Sequence, residues 1–127
     1  MNQRSFATAI NCMDGRTQLP VMDYIKKKYR VEYVDMITEP GPIKILAENK
    51  DETMLNSIKR RVEISIGKHG SKYIAIAGHH DCVGNPVEKE MQLLQIFNSI
   101  KTVHSWGFRG EIIGLWIDEN WNVHDVK

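Results

Sequence analysis

Short apolar runs alternate with longer amphipathic runs along the chain, a pattern typical of βα units that build a mostly parallel sheet. Four of the apolar runs have the length of a strand, and they cover residues 6–10, 31–37, 73–77 and 112–117. The polar residues 118–120 then form a turn signal, and 121–126 is a candidate fifth strand. The pattern predicts a sheet of about four to five strands flanked by helices.

Three of the amphipathic stretches have the apolar spacing of helices. The first covers 19–29 and the second covers 51–69. The third opens on a capping box, Asn85–Glu88, with asparagine at the N-cap, proline at the first helical position and glutamate at the third, and it extends to about Trp106. The segment 39–42, which reads Glu-Pro-Gly-Pro, breaks the chain after the second predicted strand.

The composition favours one domain and argues against two classes of partner. The 127 residues are 42% hydrophobic, which is enough to bury one core, so residues 1–127 are predicted to form a single α/β domain. The 17 basic and 16 acidic residues are nearly balanced, and no long block of one sign indicates nucleic acid or an anionic membrane. Neither a signal peptide nor an apolar span of bilayer length is present in this sequence, so we expect cytoplasmic residence.

Two short motifs follow predicted strands and gather both cysteines of the chain. Cys12 follows the first strand, and the motif His79–Cys82 follows the third. In a reducing compartment, cysteines so far apart indicate a metal site or reactive thiols more than a structural disulfide. Two thiolates and one imidazole, from Cys12, His79 and Cys82, are a ligand set that zinc favours, and three protein ligands leave tetrahedral zinc one open position. Ligands also collect outside the carboxyl ends of strands in open α/β sheets.

The first motif adds an aspartate and an arginine to this ligand set. Two thiolates cancel the formal charge of zinc, so a bound water is polarised less than at an all-histidine site. Asp14 is placed to accept a hydrogen bond from such a water, and Arg16 to clamp that carboxylate through its planar guanidinium. If the clamp opens, Asp14 can become a fourth ligand. Taken singly, Asp14 and Gly15 are an ordinary turn dipeptide, but together the two motifs favour a metal site.

These residues resemble the zinc signature of the β-class carbonic anhydrases. The resemblance lies in Cys-x-Asp-x-Arg, here Cys12 to Arg16, followed by His-x-x-Cys, here His79 to Cys82. The order of strands, helices and motifs is similar to the α/β core of that family. The resemblance implies that Cys12, His79 and Cys82 bind Zn²⁺ and that Asp14 and Arg16 form a catalytic dyad. The implied reaction is the reversible hydration of carbon dioxide to bicarbonate by a zinc-bound hydroxide.

The sequence also departs from the family pattern. Family members usually carry helices before the first strand, whereas this chain enters its first predicted strand within about six residues. The segment 38–41 reads Thr-Glu-Pro-Gly where the family commonly has Arg-Asn-Ala-Gly, and Glu39 would place an acidic side chain near the site. Cys82 is followed by Val83 where the family often has glycine. The apolar strands and the short N-terminal segment indicate a homo-oligomer, a dimer or higher.

Three other functions are compatible with the same residues. A non-catalytic zinc protein of the same fold would keep the ligands without turnover, and a hydrolase would act on a sulfur analogue of carbon dioxide. A redox protein would use Cys12 and Cys82 as a thiol pair. His80 is a candidate proton carrier because the unperturbed pKa of histidine is near 6.5. Trp121 and the other two tryptophans are expected to pack in the core or at an interface.

Overall fold

A five-stranded sheet forms the centre of the computed structural model, which describes residues 5–126. The strand order is β2-β1-β3-β4-β5; the first four are parallel and β5 runs antiparallel to β4. The strands are β1 (Phe6–Cys12), β2 (Tyr33–Glu39), β3 (Tyr73–His79), β4 (Glu111–Ile117) and β5 (Val123–Val126). The helices are α1 (Gly15–Tyr29), α2 (Pro42–Glu48), α3 (Glu52–His69) and α4 (Lys89–His104). The predicted α/β architecture is confirmed.

Alternation along the central strands divides the core into two apolar clusters, one on each face of the sheet. The cluster against α1 contains Ala7, Ala9, Val21, Ile25, Val31, Ala75, Ala77, Leu115 and Ile117. The cluster against α2, α3 and α4 contains Ile10, Ile37, Ile43, Leu46, Leu55, Ile58, Val62, Ile74, Ile76, Ile96 and Val103. Small alanines therefore face α1, and larger isoleucines face the other helices.

The order of the strands reverses at β1, which makes the carboxyl ends of the central strands a place where ligands can bind. From β1 the chain crosses to β2 on one side, and β3 then pairs with the other side of β1. This reversal of strand order is the switch point at which open α/β sheets bind ligands. Cys12 ends β1 and His79 ends β3 at this point.

Two helices begin elsewhere than predicted. Helix α1 begins at Gly15 instead of Leu19, because the Asp14 side chain accepts a hydrogen bond from the backbone N–H of Arg16 and caps it. Helix α4 begins at Lys89, so the capping box predicted at Asn85 is wrong. The Asn85 amide is buried and donates to Gln95 Oε1 at 2.7 Å, so it joins the preceding loop to α4 instead of capping the helix.

The segment after β2 also differs from its prediction. Its two prolines predict only a break, but Pro42 begins the two-turn helix α2, where its missing N–H costs no helical hydrogen bond. Strand β2 lies two residues later than predicted, and β5 begins at Val123 because Trp121 belongs to the preceding turn. Among residues 5–126, none of the helices has the length and apolar character needed to cross a bilayer.

Gly41 fixes how the segment after β2 meets the segment after β3. Its φ is +55°, and a Cβ there would lie 2.7 Å from Asn85 Cβ and 2.9 Å from the Gly84 carbonyl. We expect Gly41→Ala to lower the free energy of unfolding by about 3 kcal/mol, from left-handed strain plus overpacking. Gly70→Ala is the control, because Gly70 has a φ of +69° and open space around it. That variant should lose only about 1 kcal/mol, and equal losses in urea unfolding would contradict the packing argument.

Candidate metal centre

Three buried side chains meet at the carboxyl ends of β1 and β3. The ligand atoms of Cys12, His79 and Cys82 all lie within 4.8 Å of one another, and the two sulfurs are 3.8 Å apart. The residues are 5%, 1% and 5% exposed. The sequence prediction that these three side chains form one cluster therefore agrees with their positions, and the cluster can hold a metal ion.

The imidazole of His79 presents one nitrogen to this cluster. Its Nδ1 lies 2.7 Å from the carbonyl oxygen of His80, and because a carbonyl only accepts, Nδ1 carries the proton. Nε2 is then an acceptor, and it is buried without a hydrogen-bond partner among the described residues. A backbone carbonyl that fixes the tautomer while the second nitrogen stays free is the usual arrangement behind a metal-binding histidine.

The backbone of His79 is fixed from helix α4. The His79 N–H donates to Gln92 Oε1 at 3.1 Å, and Gln92 Nε2 donates to the His79 carbonyl at 2.8 Å. Gln92 is itself buried, so this pair of bonds satisfies polar groups that burial would otherwise make unfavourable. Gln92 could not be found from the sequence, because a glutamine on a helix carries no signal for such a contact.

Without a metal, the thiols of Cys12 and Cys82 differ widely in acidity. The hydrogen bond from Cys82 lowers the pKa of Cys12 to about 4, although burial acts in the opposite direction. The same hydrogen bond, together with burial, raises the pKa of Cys82 far above its usual range. Burial lowers the pKa of His79, but the Cys12 sulfur and the His80 carbonyl outweigh burial and raise it. The cluster thus concentrates negative charge where a cation would be stabilised.

Asp14 and Arg16 form a two-point ion pair beside the cluster. Arg16 Nη2 donates to Asp14 Oδ2 at 2.7 Å, and Arg16 Nε and the Arg16 backbone N–H donate to Oδ1 at 3.1 and 2.9 Å. These hydrogen bonds lower the pKa of Asp14 to about 2. The carboxylate is therefore ionised at neutral pH and is held by Arg16, which is the clamp that the sequence suggested.

Two further residues hold Arg16, and neither is among the site residues predicted from the sequence. Arg16 Nη1 donates to Asp81 Oδ2 and Nη2 donates to the Asp81 carbonyl, both at 3.3 Å. The Arg16 guanidinium carbon lies 4.4 Å from the ring centroid of Trp121. The position of Asp81 inside the second motif is a sequence signal that it lies near the site. Trp121 carries no such signal, because only the turn between β4 and β5 brings it here.

A small apolar cavity of about 290 Å³ adjoins Cys12 and Asp14. Its walls are Cys12, Met13, Asp14, Pro40, Val83 and Gly84. Gly84 is required there, because a Cβ would lie 2.7 Å from the Pro40 carbonyl carbon. A larger apolar cavity of about 590 Å³ lies between α3, α4 and the segment before β4, and none of the three clustered ligands lines it.

The segment 38–41 does not add an unpaired charge to the site. The Glu39 carboxylate pairs with Arg61 of α3, and the Glu39 carbonyl accepts the Met13 N–H at 3.0 Å. The acidic side chain that the sequence places near the site therefore has its charge balanced by Arg61. His80 is exposed, and its backbone N–H donates to the Ile117 carbonyl at 2.9 Å.

Comparisons with known proteins agree with this geometry. No curated protein matches the chain. Among solved structures, β-carbonic anhydrase isoform I from Trichomonas vaginalis is similar, with a TM-score of 0.63 and 18% identity over 97% of this chain and 82% of that one. The β-carbonic anhydrase CafA of Aspergillus fumigatus has a TM-score of 0.58 and 16% identity over 99% of this chain and 77% of that one. These likenesses confirm the predicted fold.

A family model described as putative carbonic anhydrase matches residues 2–127. Because this match spans nearly the whole sequence, the chain belongs to the putative carbonic anhydrase family.

Proposed function

We propose that this protein is a zinc-dependent lyase that catalyses the reversible hydration of carbon dioxide to bicarbonate. The observation that carries the proposal is the buried Cys12, His79 and Cys82 cluster, whose His79 Nε2 has no partner among the described residues. Family membership supports the substrate and the reaction. The ion pair of Asp14 and Arg16 beside the cluster supports a catalytic use of the metal.

Cys12, His79 and Cys82 are the proposed zinc ligands. They present two sulfurs and one imidazole nitrogen, and this donor set suits zinc better than it suits the oxygen-preferring Mg²⁺ or Ca²⁺. When bound, zinc supplies a Lewis acid that makes water nucleophilic at neutral pH. The His80 carbonyl holds the proton of the neutral His79 imidazole on Nδ1, so binding through Nε2 needs no change of tautomer.

Asp14 and Arg16 are the proposed catalytic dyad. The Asp14 carboxylate is ionised and can only accept hydrogen bonds, so it can orient the attacking water by accepting one of its protons in a hydrogen bond. Arg16 fixes both carboxylate oxygens, which keeps Asp14 from becoming a ligand itself. Hydration of carbon dioxide releases one proton with each bicarbonate, and the exposed His80 is the proposed carrier to solvent.

The cavity beside Cys12 and Asp14 is the proposed site for carbon dioxide. Carbon dioxide carries no charge, so apolar walls such as Pro40 and Val83 suit it better than a polar pocket would. The bicarbonate product is an anion, and the nearby guanidinium of Arg16 reduces the repulsion that the Asp14 carboxylate would exert on it. The volume of about 290 Å³ admits carbon dioxide together with water.

We further propose that the protein is a homo-oligomer in the cytoplasm. Two large apolar side chains beside the cavity face solvent, because Met13 is 61% and Val83 is 88% exposed. Leu19, on the first turns of α1, is 65% exposed. Exposed apolar groups that adjoin a site are typical of an interface, and a second copy of the chain would exclude water from the cavity. The cytoplasmic location rests on the sequence alone.

The metal proposal predicts about one zinc ion per chain. Protein purified without chelators should contain stoichiometric zinc by elemental analysis, and Cys82→Ser should lose most of it because a neutral hydroxyl is a poor zinc ligand. Val83→Ser, which changes an exposed neighbour, is the control and should retain zinc. Metal-free wild-type protein that forms a Cys12–Cys82 disulfide under mild oxidation would favour the thiol-pair function instead.

The catalytic proposal predicts that replacing Asp14 lowers the hydration rate while the protein keeps its zinc. Stopped-flow hydration of carbon dioxide by zinc-loaded Asp14→Ala should be slower than wild type by about a hundredfold, since the water loses its orienting acceptor. Asp23→Ala is the matched control, because Asp23 is an exposed aspartate of α1 outside the site. Equal rates for wild type and Asp14→Ala would overturn the dyad.

The same assays distinguish the two other zinc-dependent functions. Bound zinc without hydration above buffer would favour a non-catalytic zinc protein. Turnover of a sulfur analogue alone would favour the hydrolase.

The interface proposal predicts that a charge beside the cavity weakens association. Val83→Asp should shift the protein toward monomer in size-exclusion chromatography with light scattering, because association would then bury an unpaired carboxylate. Ile64→Asp, at an apolar residue of α3 that is 46% exposed, is the control. A wild-type protein that stays monomeric at all concentrations would overturn the proposal.

A further inference from the structure

We infer that Trp121 is a positioning residue, whose indole ring holds the Arg16 guanidinium and through it the Asp14 carboxylate. Trp121 does not line the cavity beside Cys12 and Asp14, and its proposed action on Asp14 is indirect, through Arg16. The inference rests on the proposed function only for its consequence in catalysis. The contact itself can be tested in the protein without metal.

Arg16 needs such support because its side chain has two competing partners. It is 45% exposed, and it donates both to Asp14 and to Asp81, whose side chain is 66% exposed. The pair with Asp14 has the shorter distance, 2.7 Å against 3.3 Å. Without a third contact, a long flexible side chain on the surface would exchange between the two carboxylates and solvent.

Trp121 supplies that third contact through its indole ring. The guanidinium carbon lies 4.4 Å from the indole centroid, which is within the range of a cation–π interaction, and tryptophan provides the strongest face for one. The indole centroid lies 6.3 Å from that of the His79 ring. Trp121 is therefore near both Arg16 and the proposed metal ligand His79, although it comes from neither sequence motif.

The backbone at Trp121 is in a conformation that tryptophan rarely adopts. Its φ is +62°, in the left-handed region, where bulky residues are outliers. Such strain persists only where surrounding contacts impose it, and it is concentrated at functional sites. A turn between β4 and β5 would accept glycine or asparagine at this φ with less strain, so the choice of tryptophan indicates a use for its ring.

Asp118 imposes this conformation on the turn. Its Oδ1 accepts the backbone N–H groups of Asn120 and Asn122, both at 2.9 Å, and its Oδ2 lies 2.7 Å from His124 Nε2. The Trp121 N–H also donates to the Asp118 carbonyl at 2.9 Å. The turn thus has its own network of hydrogen bonds, which presents the indole to Arg16 as a rigid group.

Trp121 also packs against the apolar cluster that faces α1, so a test has to separate positioning from packing. Three variants do this. Trp121→Phe keeps an aromatic face, Trp121→Leu keeps apolar bulk without one, and Trp121→Gly removes the ring while favouring the positive φ. Trp106→Leu is the control, because Trp106 is a partly buried tryptophan that packs on the other cluster.

The direct readout is hydrogen exchange of the Arg16 Nε–H in metal-free protein, measured by NMR. This proton is protected by its hydrogen bond to Asp14 Oδ1, and Asp14→Ala gives the unprotected limit. We expect exchange to accelerate about fivefold in Trp121→Leu and in Trp121→Gly, the change that corresponds to loss of a surface cation–π contact. Trp121→Phe should restore most of the protection, and Trp106→Leu should leave it unchanged.

The outcomes separate this inference from the proposed function. Unchanged Arg16 exchange in Trp121→Leu would overturn the positioning role, whatever the activity. Faster exchange in both Trp121→Leu and Trp106→Leu would also overturn it, because that pattern reports general destabilisation. Accelerated exchange confined to Trp121→Leu and Trp121→Gly, in a protein whose wild type hydrates no carbon dioxide, would support the inference while the proposed function fails. If wild type is active, the hydration rate should follow the same order as the protection.

Discussion

The parallel pairing of β1 with β3 is the contact on which the whole site depends. Its register places Ile10 opposite Ile76, so two residues further on Cys12 comes opposite Gly78, next to His79. Both strands are buried along their length, and the helices on either face leave no freedom for a shift of register. Two motifs separated by about half of the chain are thereby brought together by the pairing of their strands.

Charge is distributed over this end of the sheet in two separate sets. Without a metal, the pKa of Cys12 is lowered and that of Cys82 is raised, so the negative charge lies on the buried Cys12 sulfur, where burial makes it unfavourable. The Asp14 carboxylate, by contrast, is balanced within the protein by Arg16. This separation leaves a cluster that could hold a metal ion beside a carboxylate that already has its own counter-ion. Arg16 maintains the separation, and it is held in turn by Asp81 and Trp121.

Features encoded by local pattern could be predicted from the sequence, and features created by distant contacts could not. The strands and the cluster of Cys12, His79 and Cys82 follow from apolar runs and motif spacing. The capping box at Asn85 failed because a tertiary hydrogen bond to Gln95 takes the side chain that would have capped α4. Helix α2 was missed because Gly41 and Pro42 signal a break, and only the structure shows that the break is also a helix start. Trp121 was expected to pack, and nothing in its neighbours reveals a left-handed backbone.

The alanines that face α1 act as spacers with a consequence for the ion pair of Asp14 and Arg16. Ala7, Ala9, Ala75 and Ala77 are at most 1% exposed, and they let the helix lie close to the sheet. Asp14 and Arg16 are fixed to the N-terminus of that helix, so its height above the sheet sets how far the carboxylate stands from the sulfurs. The size of the alanine side chains thus sets the distance between the Asp14 carboxylate and the two sulfurs. A larger side chain under α1 would change that distance without replacing any residue of the site.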